Sequence, residues 1–232
     1  MQQNLNSTYG QQEFDTGLRD HMTKTYGLIA GGLAVSALTA WIIGFTSLRS
    51  LVVGDEGLTT LGHIGLWAPL VLLLGTAFLR VTSVGAMRGI YWAFVALQGF
   101  GLSLVAISLP AHTIVQALAI TGFTFGAMSL WGYTTKRSLS GWGNFLLMGL
   151  IGVIIAMVVN LFLGSAALDF AISVIGVLVF SGFTAYDTQK LKDMYYAGLG
   201  KDDLEYARYS SALGLYLNIV NLFNFFVSFG RD

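Results

Sequence analysis

Two carboxylates bracket one apolar stretch of this chain, and a row of amides runs through another. Asp169 and Asp187 stand near the two ends of Leu168–Tyr186, while Ser211–Phe229 carries Asn218, Asn221 and Asn224. At about 100° per residue, Ser211, Gly214, Asn218, Asn221 and Phe225 share one narrow helical face. Asp187 shares its own face with Ser173, Gly176 and Thr184. Such polar faces are costly against lipid and should point into the bundle or toward water. For Asp187 two readings stand side by side. One is a functional acid where the two polar faces dock; the other is a surface pair with Lys190, three residues on. Asp169 opens a helix, where the dipole favours a carboxylate, so capping or first-turn stabilisation accounts for it.

Other chemistries lack their residues. The chain has no Cys, which removes disulfides, thiolates and Cys-ligated metals. His21, His63 and His112 are scattered near the ends of apolar stretches and read as interfacial residues, not as clustered zinc ligands. Neither a G-x-S-x-G nucleophile elbow nor a glycine-rich loop ending in Gly-Lys-Ser/Thr occurs. No ionisable side chain lies deep in an apolar stretch, which argues against a proton pump or a voltage sensor. The last stretch has no Lys for a retinal-type Schiff base. An intramembrane aspartyl protease would need a second membrane Asp beside Tyr186-Asp187, and the last stretch holds none. The expectation is therefore no enzyme and no cofactor.

The elements that must hold these residues are apolar helices. The 232 residues are 55% hydrophobic and 10% charged, against about 25% charged in soluble domains. That excludes disorder and argues against a water-soluble globular enzyme. A net charge of +0 gives no bulk attraction for nucleic acid. About 20 apolar residues cross the hydrocarbon of a bilayer. Seven stretches qualify: Tyr26–Phe45, Leu61–Leu79, Ile90–Leu109, Thr113–Tyr133, Asn144–Leu163, Leu168–Tyr186 and Ser211–Phe229. The second is the weakest, because it opens on Gly62-His63 and contains Pro69. All are continuously apolar, unlike the alternating strands of a membrane barrel.

Ten of the 12 basic residues fall in the N-terminal segment and in the 2–3, 4–5 and 6–7 connections, leaving Arg49 and Arg231 on the other side. The positive-inside rule then puts the N-terminus in the cytoplasm. The expected fold is an all-α membrane protein of seven transmembrane helices, with the last helix central because its polar stripe is costly against lipid. Residues 1–20 read as a polar cytoplasmic tail and residues 21–232 as one transmembrane domain. No cleavable signal is visible, so the first span is expected to act as its own insertion signal. The connection from Thr188 to Tyr209 is predicted to extend the sixth helix into the cytoplasm and then turn. Small residues share faces on four helices: Gly27, Gly31 and Ala34; Gly99, Ser103 and Ala106; Gly122, Gly126 and Ser129; and Gly149, Gly152, Ala156 and Asn160. In lipid such faces let helices approach closely, so Asn160, Ser211 and Gly214 are expected as packing or interior polar positions.

Several motifs together resemble the Bax inhibitor-1 family, also called the transmembrane Bax inhibitor motif family, and in particular its bacterial YbhL/YccA-type members. They are Met22-Thr23-Lys24-Thr25-Tyr26-Gly27, the run from Gly126 to Arg137 with Ser140-Gly141-Trp142-Gly143-Asn144, Gly182-Phe183-Thr184-Ala185-Tyr186-Asp187-Thr188-Gln189-Lys190, and Leu215-Tyr216-Leu217 with Asn221-Leu222-Phe223. The resemblance runs from about Arg19 to Phe226. It implies seven helices with the last in the middle, and a pH-sensitive calcium leak whose cytoplasmic mouth is held shut by two facing acids. It also implies, for bacterial members, a link to a membrane-bound ATP-dependent protease that removes misassembled membrane proteins.

The chain departs from that pattern at one acid. Asp187 matches the first, but Asn218 occupies the place of the second. Two close carboxylates share a proton and titrate as a coupled pair; an amide is neutral throughout and donates a hydrogen bond. The gate and ion pathway are therefore expected at Asp187, Asn218, Asn221 and Thr184, with weak pH dependence. Calcium takes about 6–8 oxygen ligands, so only a weak, transient site at Asp187 is expected. The alternative is a regulator of the quality-control protease that conducts nothing and docks through residues 1–20.

Overall fold

The computed structural model describes residues 2–55, 57–78 and 81–230; of residues 2–15 and 77 only the backbone is described. Met1, Leu79, Arg80 and Arg231, used in the expectations above, lie outside these residues. The chain is almost entirely helical. It runs through α1 (Gln2–Phe45), a short α2 (Arg49–Val52), the strands β1 (Val53–Gly54) and β2 (Gly57–Leu58), then α3 (Thr60–Phe78), α4 (Val84–Ser108), α5 (Ala111–Thr134), α6 (Trp142–Leu163), α7 (Ala166–Tyr196) and α8 (Lys201–Phe229). The strands form a minimal antiparallel hairpin, with Val53 opposite Leu58.

Each of the seven expected stretches lies on its own helix, apart from end residues. Among the described residues six helices are long and apolar enough to cross a membrane, whereas Thr60–Thr76 is a shorter apolar stretch. This is the stretch that carries Pro69, whose missing N–H weakens a helix interior. The outer surface of the molecule is apolar: Phe78, Phe123, Leu161 and Phe162 are more than 80% exposed. Such a surface would aggregate in water and is at home in lipid.

The helices that carry the two polar faces are longer than a membrane requires. α7 continues to Tyr196, and α8 begins at Lys201. The connection expected over Thr188 to Tyr209 thus shrinks to a tight turn. Gly198 adopts φ +67° there, the left-handed region that ends helices and favours glycine. Asp202 and Asp203 occupy the first turn of α8, where they complement the helix dipole. At the other end α1 is one helix from Gln2, so residues 2–20 are continuous with the first span.

α8 sits in the middle. It packs on α7, α1, α5 and α4, and its most apolar window is 56% buried, against 11% for α6. Leu215, Tyr216 and Leu222 are fully buried. Close backbone approach occurs at a subset of the small residues. A methyl group added at Gly99 would strike the backbone of Ser36, and one at Gly132 the backbone of Ala185. Gly27, Gly122, Gly126 and Gly152 instead have open space where a side chain would sit. Spacing defines a smooth face on a helix but not the neighbour that meets it.

Candidate functional site

α7 and α8 run side by side, and the turn at Gly198 makes them antiparallel. The polar face of α7 is thereby laid against the amide row of α8. Near the turn, Asn218 Nδ2 donates to Asp187 Oδ2 at 2.8 Å. Asn218 is 4% exposed, and Asp187 is half-buried. A buried carboxylate needs donors to replace lost water, and the amide supplies one without adding charge. Gly214, one turn before Asn218, leaves space over the same carboxylate oxygen: a Cβ there would lie 3.6 Å from Asp187 Oδ2. Lys190 is exposed. The ion pairs among the described residues are Lys24–Asp20 and Arg88–Glu205, so Asp187 is not held by Lys190.

The other expected residues are distributed around this contact. Thr184 is fully buried but bonds its own helix, its Oγ1 donating to the Phe180 carbonyl at 2.8 Å. Asn221 Nδ2 likewise donates to the Leu217 carbonyl at 2.8 Å. Phe225 lies against Gly176, where an added methyl would collide with its ring, and 5.9 Å from the Phe180 ring. Ser211 reaches Met194 Sδ at 3.7 Å. Asn160 lies at the far end of α6, where its Oδ1 accepts from Ser165 N–H at 3.0 Å and braces the turn into α7. The turn itself carries Gly164 at φ +58°.

A cavity of about 720 Å³ runs along the docked faces, and both Asp187 and Asn218 line it, together with Gly214, Asn221 and Phe225. Asn221 and Asn224 also border a smaller space of about 390 Å³ toward α3 and α4, shared with Gln98. The cavity is lined by two carboxylates, Asp169 and Asp187, and by the amides of Asn218, Asn221 and Asn224.

Three polar groupings have no counterpart in the sequence-based expectations. Ser129 Oγ and Thr188 Oγ1 lie 2.9 Å apart, and Tyr26 OH bonds Ser129, which ties α1, α5 and α7 beside Asp187. Gln189 holds the α5–α6 connection: its Nε2 donates to the Arg137 carbonyl at 2.9 Å and its Oε1 accepts from Leu139 N–H at 2.6 Å. His21, expected at an interface, is fully buried, and its Nδ1 accepts from Arg208 Nε at 3.1 Å. His63 and His112 remain exposed. These partners are 50 to 187 positions apart, a separation at which local patterning carries no signal.

Comparison with known proteins bears on the whole arrangement. A protein of Caulobacter vibrioides is 41% identical, over 93% of this chain and 89% of its own. The inner membrane protein YbhL of Escherichia coli K12 is 40% identical over 89% of both chains. A membrane protein of Streptococcus pyogenes serotype M3 is 32% identical, over 94% of this chain and 95% of its own. With six apolar helices of membrane-spanning length, the chain is a multi-pass inner-membrane protein. The profile of the family described as "Inhibitor of apoptosis-promoting Bax1" matches residues 18–230, nearly the full length of the bundle and both faces of the α7–α8 contact, and the chain belongs to this Bax inhibitor family.

Proposed function

We propose that this protein is a passive cation leak, with calcium the leading ion, whose inner mouth is closed by Asp187 against Asn218. The observation that carries the reading is the 2.8 Å hydrogen bond between these two side chains at the lining of a cavity of about 720 Å³. In this reading the bundle has seven spans with a cytoplasmic N-terminus. α3, at 19 residues, is about 28 Å long at 1.5 Å per residue, close to the roughly 30 Å of hydrocarbon. The basic residues of the even-numbered connections then share the cytoplasmic side. One acid, one amide and nearby carbonyls form a poor cage for calcium; a weak, transient site at Asp187 suits a leak better than a sensor. Since Asn218 has no titrating proton, the leak should vary little between mildly alkaline and mildly acidic pH.

The test is calcium flux into vesicles containing the purified protein beside its Asp187→Ala variant. Loss of the carboxylate removes the ion's attraction together with the closing bond; the attraction is the larger effect, so flux should fall about tenfold, equivalent to about 1.4 kcal/mol. Equal flux in both proteins would reject the gate.

A second reading has its own support. α1 is 44 residues long, or about 66 Å, far more than one span needs. Its first 20 residues form a cytoplasmic helical tail able to dock a membrane-bound ATP-dependent protease, in which case the protein regulates without conducting. Deleting residues 2–14 separates the two: a leak keeps its flux, and a docking regulator loses its effect on the protease.

A further inference from the structure

The cavity that reaches Asp187 has a second acid at its other end. Asp169 lies eighteen positions before Asp187 on the same helix. At 3.6 residues per turn this is five turns, so the two carboxylates stand on one face of α7, about 27 Å apart. That separation is close to the hydrocarbon thickness. Both acids line the same cavity of about 720 Å³. Each is met by one neutral donor from α8: Asn218 Nδ2 at Asp187, and Ser228 Oγ at Asp169, the latter at 3.1 Å. The rings of Phe170 and Phe229 pack edge-on at 5.6 Å beside the outer contact and fasten the same two helix ends. Between the two acids the Phe225 ring packs against Gly176 and 5.9 Å from the Phe180 ring.

First-turn stabilisation accounts for an acid at the start of α7, but not for its position at the end of a cavity on the face of the inner acid. We propose that Asp169, held by Ser228, is the outer mouth of this cavity and the station at which a divalent cation first meets the protein. The inference rests on the leak reading for its transport consequence, and on the cavity geometry for its binding consequence. The path then has the same construction at both ends: a carboxylate that attracts the ion, and an uncharged donor that occupies the carboxylate until the ion displaces it.

The experiment has two readouts on the full-length protein in lipid vesicles or nanodiscs. In the first, calcium and potassium flux are compared for the wild type, Asp169→Asn, Ser228→Ala and Asp187→Asn. Asp169→Asn should lower calcium flux at least threefold and reduce the preference for calcium over potassium, while Ser228→Ala, which frees the carboxylate, should raise calcium flux. In the second, manganese(II) is titrated against protein labelled at its aspartate carboxyl carbons. The Asp169 resonance, assigned by its absence from Asp169→Asn, should broaden at lower manganese concentration than the aspartates outside the cavity. Wild-type calcium flux that falls in Asp187→Asn but is unchanged in Asp169→Asn would overturn the outer station and leave the leak reading standing. Selective broadening at Asp169 without flux in any protein would keep the cation site and reject the leak. Neither flux nor selective broadening would end both.

Discussion

The two sides of α8 are built on different terms. Around Tyr216, on the side of α1, the helix is sealed. Tyr216 is fully buried, its ring stands edge-on to Phe94 at 6.1 Å, and its OH lies 2.6 Å from Ser36 Oγ. Ser36 has one proton and lies 2.6 Å from the Val95 carbonyl. That proton goes to a carbonyl, so Tyr216 is the donor to Ser36. Gly99 lets α4 approach the Ser36 backbone. On the side of α7 the same helix presents amides to a cavity, and its tightest polar contact, Asn218 to Asp187, is made at the cavity wall. One face is filled with satisfied, close-packed groups; the other keeps polar groups beside open space. Voids beside polar groups are tolerated where water or an ion can complete the bonding, and a sealed apolar face has no such use.

The contrast can be broken most severely where backbones touch. Gly132→Leu pushes a side chain into the Ala185 backbone, two residues from Asp187, and should leave little monodisperse protein on size exclusion in detergent. Tyr216→Ala should come next, destabilising by about 3–5 kcal/mol as expected for a large buried aromatic, read as a fall in thermal midpoint. Tyr216→Phe separates packing from bonding and should cost only about 1 kcal/mol. On the cavity side, stability should barely move while flux responds. Asn218→Asp puts a second carboxylate against Asp187. The pair shares a proton at lower pH; as pH rises that proton leaves, like charges repel and the mouth opens. Calcium flux should then rise about tenfold across the transition, where the wild type stays flat. The smallest effect is expected at Asn221, which bonds only its own helix. Asn221→Ala should change stability by less than about 0.6 kcal/mol and flux by less than about twofold. A large stability loss at Asn221 would show that the two faces are not distinct.

Much of the site was readable in the residues because it is periodic. Ser211, Gly214, Asn218, Asn221 and Phe225 repeat at helical spacing, and so do Ser173, Gly176, Thr184 and Asp187. A polar stripe in an apolar helix has few places to go but inward. The docking of the two stripes follows from that rule together with the short turn at Gly198. The hydroxyl cluster of Tyr26, Ser129 and Thr188, the Gln189 brace and the burial of His21 were not readable. Each depends on which helix faces which, and single polar residues on an otherwise apolar helix carry no address. Asn160 illustrates the same point in reverse: it completes a small-residue stripe, yet its carbonyl is spent on the α6–α7 turn.

The sequence by itself determined that this chain is a helical membrane protein, which family it resembles, and that a lone acid and an amide row are its chemically distinctive residues. Composition and periodicity are enough for these, because the bilayer admits few ways to satisfy a backbone. Only the tertiary structure decided that Asp187 takes its hydrogen bond from Asn218 and makes no close ion pair with Lys190, that Asp169 lines the same cavity five turns away, and that glycines 99 and 132, but not 122 and 126, bring backbones together. Those outcomes depend on helix rotation and separation to within an ångström or so. Side-chain shape across the whole bundle sets these quantities jointly, and no single stretch of sequence sets them alone.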